Sequence, residues 1–390
     1  INFLWSPLVD RIHIPYLSKK IGHRKSWIIS MQFIILLLLI TWSTLSPSED
    51  LWLVIAVGLG IAISSATQDI TIDALRIEQI NENEGRAMAA GAAISVVGWW
   101  TGYKIGGVIS LVSADFFQQK GFENYWQLSF LLLGLIILIT SFILILIPEK
   151  SSKIRSANQK KKDDALIKRL NVNNQTSRFL VWLYGTIINP LVSFFKKNSF
   201  SVAVGILSFI FLFKIGEAFL GRMSIIFYKE IGFSKTDIAL YSKGIGWITT
   251  ITFTLLGGLF AIRMGLFKAM FVSGIVMALT NLMFSVLAWV GQSEILFAFT
   301  VLIDDLAAAF ATVAFVGFIS ALVDRTYTAT QYALLASIGT AGRTLFASSS
   351  GTLVDWLNGD WGIFFIITAI MVIPSLICLM AIKNKLKLNE

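Results

Sequence analysis

Apolar residues run through this chain in long unbroken stretches, and polar and charged positions collect between them. Stretches long enough to cross a bilayer fall at about 26–45, 51–72, 87–112 and 126–147. A second set follows at about 199–228, 237–262, 266–288, 295–323, 330–353 and 361–382. Roughly 20 mostly apolar residues, rising about 1.5 Å each, cross a hydrocarbon core of about 30 Å. About ten transmembrane helices are therefore predicted. The alternation expected of barrel strands is absent, so helices are the assignment. Trp42, Trp52, Trp99, Trp126, Trp289, Trp356 and Trp361 lie near stretch ends, where an indole favours the membrane interface.

The pattern changes between 149 and 198, where KKKDDALIKRL is followed by RFLVWLYGTIINPLVSFF. This reads as a linker that ends in an amphipathic surface helix. It divides the chain into a first bundle over 1–148, the linker over 149–198 and a six-helix bundle over 199–390. The opening INFLWSPLVDR reads as the end of an apolar helix leaving the membrane, so one to two further helices are expected ahead of it. Restoring two makes the halves six and six, the pattern of parallel repeats about an axis along the membrane normal. The predicted architecture is an all-α membrane protein of two bundles around a central cavity.

Composition agrees, with 56% hydrophobic and 14% charged residues, against about 25% charged in soluble domains. The net charge of +9 does not imply nucleic acid, because the basic residues concentrate in loops between apolar stretches. Arg11, Lys19, Lys20, Arg24, Lys25, the linker and Lys383, Lys385 and Lys387 share one side. Lys120, Arg222, Lys229 and Lys235 hold the other. That bias predicts a cytoplasmic linker and C-terminus. The single Cys378 excludes an intrachain disulfide, and His13 and His23 have no acidic or Cys cluster beside them, so neither metal nor cofactor is expected. There is no Gly-rich phosphate loop and no catalytic constellation, so an enzyme or an ATP-driven pump is not predicted.

Charges inside the apolar stretches carry the functional reading. A charge at membrane depth costs at least about 2.5 kcal/mol on insertion scales, so it faces a polar cavity or a partner. Lys214 and Glu217, three apart in FKIGEAFLGR, share a helix face. They form either a structural ion pair or a cavity-facing pair on a substrate or proton path, and the second reading is preferred. Asp69 and Asp73 lie four apart on one face; Asp73 can pair with Arg76 at the interface, which leaves the deeper Asp69 as the functional candidate. Lys104 sits in a stripe of Gly98, Gly102 and Gly106 that permits close helix packing. It either closes an ion pair or binds an anionic substrate group. Asp304 and Asp305 project about 100° apart near mid-membrane, so one can face a cavity while the other packs between helices. A carboxyl at such a depth suits proton carriage, and Arg343 would compete with that role by holding one of the pair ionised. Lys243 is the remaining deep base. A pathway for a polar, charged solute is the expectation from this set.

Several motifs then match one known family in order and spacing: LWSPLVDR and IGHRKSW, ATQDITIDALRIE, GYKIGG, FKIGEAF, FYKEIGFS and YTATQYALLASIGTAGR. From residue 1 to about 374 the chain resembles the AmpG muropeptide permeases of the major facilitator superfamily. The resemblance implies a multi-pass permease of the bacterial inner membrane, driven by the proton-motive force. It would import N-acetylglucosaminyl-1,6-anhydro-N-acetylmuramyl peptides for cell-wall recycling, as a monomer, by rocking two bundles about a central site. It also implies that Asp10, Arg11, Gly22, Arg24 and Lys25 belong to the superfamily's cytoplasmic gating loop, which clamps neighbouring helix ends. This chain departs from the family pattern at Ala308 and Ala309 in place of glycines, at Asp305 in place of Asn, at Lys104 in place of Arg and at Glu217 in place of Asp. Charge is kept at the last two positions while geometry changes, and Arg and Lys are not equivalent at bidentate sites. Two rival readings are transport of another anionic metabolite such as acetyl-CoA, and a non-transporting membrane sensor. A sensor would not need opposed deep charges in both halves.

Overall fold

The computed structural model describes residues 2–46, 48–150, 153–169, 175–234, 238 and 246–386. Among the described residues the chain is helical, with no strand. Two short helices, α1 (Ser6–Arg11) and α2 (Leu17–Lys20), precede α3 (His23–Trp42), α4 (Leu51–Gln79), α5 (Gly85–Gln119) and α6 (Tyr125–Leu146). The linker region holds α7 (Lys153–Arg169) and α8 (Gln175–Asn198). Then come α9 (Phe200–Leu212), α10 (Ile215–Glu230), α11 (Gly246–Met264), α12 (Leu266–Val290) and α13 (Glu294–Leu322). The chain continues with α14 (Thr328–Ala347), α15 (Ser350–Trp356), α16 (Trp361–Ile370) and α17 (Ile373–Ile382).

Seven segments of the described chain are long and apolar enough to cross a membrane: His23–Trp42, Leu51–Gln79, Tyr125–Leu146, Phe200–Glu230, Leu266–Val290, Glu294–Leu322 and Trp361–Lys385. The other three predicted stretches fall on α5, on α11 and on α14 with α15. Gly, Trp, Tyr and Lys dilute α5, and Thr, Gln and Ser dilute α14, so both are helices of lower hydropathy. The stretch over 237–262 begins outside the described residues, and a shorter apolar helix, Thr249–Met264, carries the rest.

Two stretches that read as continuous helices are broken. The one over 361–382 breaks between α16 and α17, where Pro374 at the start of α17 lacks an N–H and its ring crowds the carbonyl of Ile370. The one over 199–228 breaks at Phe213–Lys214, where no proline stands. Here Gly216 takes up the close approach: a Cβ at that position would lie 2.8 Å from the Thr368 carbonyl oxygen and 3.2 Å from Asn281 Nδ2. Lys214 therefore begins α10 instead of sitting in mid-helix.

The chain forms two compact units. The first holds residues 1–79, 101–193 and 323–333. In it α3 packs on α4 and α6, with Ser141 donating to Gln32 Oε1 at 2.7 Å across the α6–α3 seam. Val9, Ile70, Ala74, Ala329 and Ala333 form a small apolar cluster against Trp27. The second unit holds residues 80–100, 194–322 and 334–390. Its core is aromatic, with Phe227, Phe284, Phe297, Phe364 and Phe365 fully enclosed and Trp361 nearly so. Trp361 Nε1 donates to Glu230 Oε2 at 2.6 Å and ties α16 to the end of α10. Both units leave large apolar side chains exposed, among them Trp52, Leu59, Phe142 and Leu146 in the first and Leu279, Val290 and Ile377 in the second. A soluble surface would not carry so many, whereas lipid tails accept them.

Candidate functional site

Two charge clusters stand out, one in each unit. In the first unit α1 delivers Asp10 and the start of α3 delivers Arg24. Arg24 Nη2 lies 2.6 Å from Asp10 Oδ1 and 2.6 Å from Glu78 Oε1; Nη1 donates to the Val9 carbonyl at 3.1 Å, and Nε donates to Glu78. Asp10 also accepts from the backbone N–H groups of Ala329 and Thr330, at 3.1 and 2.9 Å, and from the Thr330 hydroxyl at 2.6 Å. It thus caps the first turn of α14, where free N–H groups and the helix dipole favour a carboxylate.

The linker helix α7 adds to this cluster. Arg155 donates to Glu78 Oε1 at 2.6 Å, and Gln159 Nε2 donates to the Thr326 carbonyl at 2.8 Å. Arg11 holds Asp163 through two bonds of 2.5 and 3.0 Å. Arg325 donates to the Ile77 carbonyl, and Ser193 donates to Asp324. Burial alone would raise the Asp324 carboxyl, but the bonds from Ser193 and Thr326 outweigh it and hold the group below the ordinary carboxylate value.

A second cap lies at the start of α3. Glu149 accepts from the N–H groups of Arg24 and Lys25 at 2.9 and 3.0 Å. Lys25 Nζ reaches the carbonyls of Ile145 within the last turn of α6 and Ile147 just beyond it, at 3.3 and 2.6 Å. Gly22 makes room for this: its φ is +106°, and a Cβ there would collide with the Glu149 carboxylate. The structure thus brings Asp10, Arg24 and Lys25 to helix ends and Arg11 to α7.

In the second unit the break before α10 presents Lys214. Its Nζ lies 3.1 Å from Glu217 Oε2 and donates to Thr312 Oγ1 at 2.9 Å. Asp304 stands two turns before Thr312 on α13 and accepts from Thr280 Oγ1 at 3.1 Å. Asp305 and Glu217 lie within electrostatic reach of Asp304. Lys214, Glu217, Asp304 and Asp305 therefore share one neighbourhood, and all four side chains are half-buried.

The remaining predicted residues are placed as follows. Asp69 is exposed on α4 and lies within electrostatic reach of Asp73, which pairs with Arg76 at 2.8 Å. Lys104 is half-buried on α5, and Arg343 is exposed on α14. Lys243 lies outside the described residues. Sequence reasoning did not single out Glu78, Glu149, Arg155, Thr280 or Thr312. Glu78 and Arg155 carry no spacing signal, since residues 77 positions apart meet only in the fold. Thr312 could have been found as the polar position two turns after Asp304 on the same face.

The Major Facilitator Superfamily family model matches residues 2–303. Putative transporter AmpG 4 of Rickettsia felis is 32% identical over 385 residues, covering 99% of this chain and 85% of that protein. Anhydromuropeptide permease of Escherichia coli K12 is 28% identical over 388 residues, covering 99% of this chain and 70% of that protein. Among solved structures, the outward conformation of the major facilitator transporter FucP superposes with a TM-score of 0.64 at 13% identity, covering 97% of this chain and 86% of that one. The proton:xylose symporter XylE gives 0.61 at 14% identity, with 97% and 83% covered. Several apolar spans, charges held at helix ends and within the bundle, and kinship across nearly the whole chain agree: this is a multi-pass membrane transporter that belongs to the major facilitator superfamily and, within it, to the AmpG transporters.

Proposed function

We propose that the chain imports N-acetylglucosaminyl-1,6-anhydro-N-acetylmuramyl peptides across the bacterial inner membrane, driven by the proton-motive force. The observation that carries this reading is the Lys214–Glu217–Asp304 neighbourhood. It is a cation and carboxylates at a broken helix, only partly enclosed, with Lys214 on Glu217 and Thr312 and Asp304 accepting from Thr280. Broken helices in transporters place substrate and ion sites at such interruptions. Lys214 would meet the anionic groups of the solute, and Asp304 would carry the proton, with Glu217 and Asp305 setting the local charge. Lys243 would be a further cavity residue, and Asp69, Lys104 and Arg343 would serve coupling or gating. Asp10, Arg11, Arg24 and Lys25 would form the gating loop. Kinship to a protein named anhydromuropeptide permease supports this choice of solute over other anions.

The reading carries a topology with it: the linker over 149–198 and the C-terminus are cytoplasmic, the bundles are 1–148 and 199–390, and the protein acts as a monomer. The test is uptake of labelled anhydro-muropeptide into vesicles, against free sugar and acetyl-CoA as competitors. Accumulation that stops when the proton gradient is collapsed, and that Asp304→Asn abolishes, is the expected result. Accumulation unchanged by either would overturn the driving ion and the proton carrier.

A further inference from the structure

The linker helix α8 has two sides with different surroundings. Its inner side is held to the first unit, with Val181, Gly185, Thr186 and Pro190 buried. A Cβ at Gly185 would lie 2.6 Å from Arg11 Nη2 and 2.7 Å from Asp163 Oδ1, so the bare glycine lets α8 rest on that ion pair. Gln331 Nε2 donates to the Pro190 carbonyl at 2.8 Å, and Ser193 donates to Asp324. These two bonds tie α8 to the start of α14.

The outer side has no such cover. Leu183, Tyr184, Ile187 and Leu191 are each between 37% and 48% exposed. At about 100° per residue they fall inside an arc of about 100°, the width of the stripe by which an amphipathic helix buries itself. Four large apolar side chains gathered on one face are a patch that water does not suit. No residue from 175 to 198 is acidic, while Arg178, Lys196 and Lys197 make the segment basic.

What lies beyond α8 selects the occupant. The helix ends one residue before Phe200, which is 74% exposed and opens the apolar span Phe200–Glu230. Ser199, at a φ of 57°, turns the chain between them. Phe195 follows Leu191 by one turn on the same face, and its ring stacks on that of Phe200 at 5.7 Å. The exposed stripe thus runs on into the surface of a membrane-crossing segment. A basic helix with an apolar stripe, joined to such a segment, is the form that lies along a headgroup boundary.

We propose that α8 lies in the plane of the cytoplasmic leaflet and binds anionic phospholipid. Leu183, Ile187 and Leu191 enter the upper acyl chains, Tyr184 stands at headgroup level, and Lys196 meets lipid phosphate. Because α8 also holds Asp324 and Gln331, the leaflet surface anchors the start of α14. The side of the membrane rests on the topology proposed above; the bedding in lipid does not.

The test uses the full chain with Cys378→Ser in vesicles of phosphatidylethanolamine and phosphatidylglycerol. A fluorescent label is attached at Ile187→Cys or, for comparison, at Asn158→Cys, an exposed polar position on α7. Expected at 187 is strong quenching by lipids that carry a nitroxide near the headgroup and weak quenching by iodide supplied on both faces, with the reverse at 158. Iodide quenching at 187 equal to that at 158 would overturn the proposal. Shielding from both quenchers would overturn it as well and would mark a protein partner instead. Charge sign gives a second readout. Ile187→Glu with Leu191→Glu sets acids against an anionic surface, whereas Ile187→Lys with Leu191→Lys can snorkel to it. The thermal midpoint in these vesicles is expected to fall further in the acidic pair, and equal falls would overturn the anionic lipid. The topology is judged apart: labelling of Asn158→Cys by an impermeant thiol reagent outside intact cells would refute the cytoplasmic side and leave the bedding to the quenching result.

Discussion

In the first unit the Arg24 and Asp10 side chains are 0% and 1% exposed, and each Asp10 oxygen accepts two donors. In the second unit the Lys214 and Glu217 side chains are 13% and 20% exposed, and Lys214 rests on one carboxylate and one hydroxyl. The same residue types serve opposite ends. A buried pair repays its desolvation only when every lone pair and proton finds a partner, and the Asp10–Arg24 pair meets that demand, whereas Arg155 at its edge leaves Nε and Nη2 without a hydrogen-bond partner among the described residues. Such a cluster specifies one arrangement and resists change. The Lys214 cluster leaves bonding capacity in hand, so a solute or proton can enter without first breaking a closed network. Saturation marks a charge cluster that holds helix ends; incomplete pairing marks one that can trade partners.

Four outcomes would break or sharpen that contrast. Arg24→Ala strands the buried Asp10 and leaves Glu78 with Arg155 alone, and should cost about 3–5 kcal/mol, read as a fall in thermal midpoint and in folded yield in detergent. A cost under about 1 kcal/mol, the size of an exposed pair, would remove the contrast. Gly22→Ala forces a side chain into a left-handed backbone position beside Glu149 and should cost about 1–3 kcal/mol. In a Glu149→Ala background, which has already lost the cap on α3, the same change should cost less, and the difference in thermal midpoint between Glu149→Ala and the double variant gives the backbone share.

For the open cluster, a double-mutant cycle of Lys214→Ala and Glu217→Ala should show a stability coupling below about 1 kcal/mol, while each single change suppresses muropeptide uptake. A coupling of about 3 kcal/mol or more would make it a structural pair like the first. The smallest effect concerns Asp324. Its folded carboxyl lies below the ordinary value, so it adds stability above the unfolded value near pH 4 and loses it as pH falls through the folded value. The difference in thermal midpoint between the unaltered chain and Asp324→Asn should be flat at neutral pH and shrink in acid.

Much of this was readable along the chain, and the limits have physical causes. The apolar stretches marked the helices because a bilayer demands about 20 apolar residues per crossing whatever their neighbours. Lys214, Glu217, Asp304 and Asp305 stood out because charge is rare at that depth. The break at Phe213–Lys214 was not legible. No proline announces it, and the close approach that Gly216 allows depends on the Thr368 carbonyl of a helix about 150 residues away. Glu149 as the cap of α3 was equally hidden, since it sits at the head of a linker and reaches back 125 residues. Thr280 and Thr312 are common residues in common helices until a carboxylate and an ammonium come to rest against them.

By itself the sequence determined that this chain lives in a membrane, where its long apolar stretches and the charges within them lie, and which family's motifs it carries. Each of these follows from local composition or short-range order, which a linear pattern can hold. Only the tertiary structure decided which charges are saturated and which are left with bonding capacity. That property belongs to atoms brought within about 3 Å by packing, from residues up to 320 positions apart, and no periodicity along the chain encodes it.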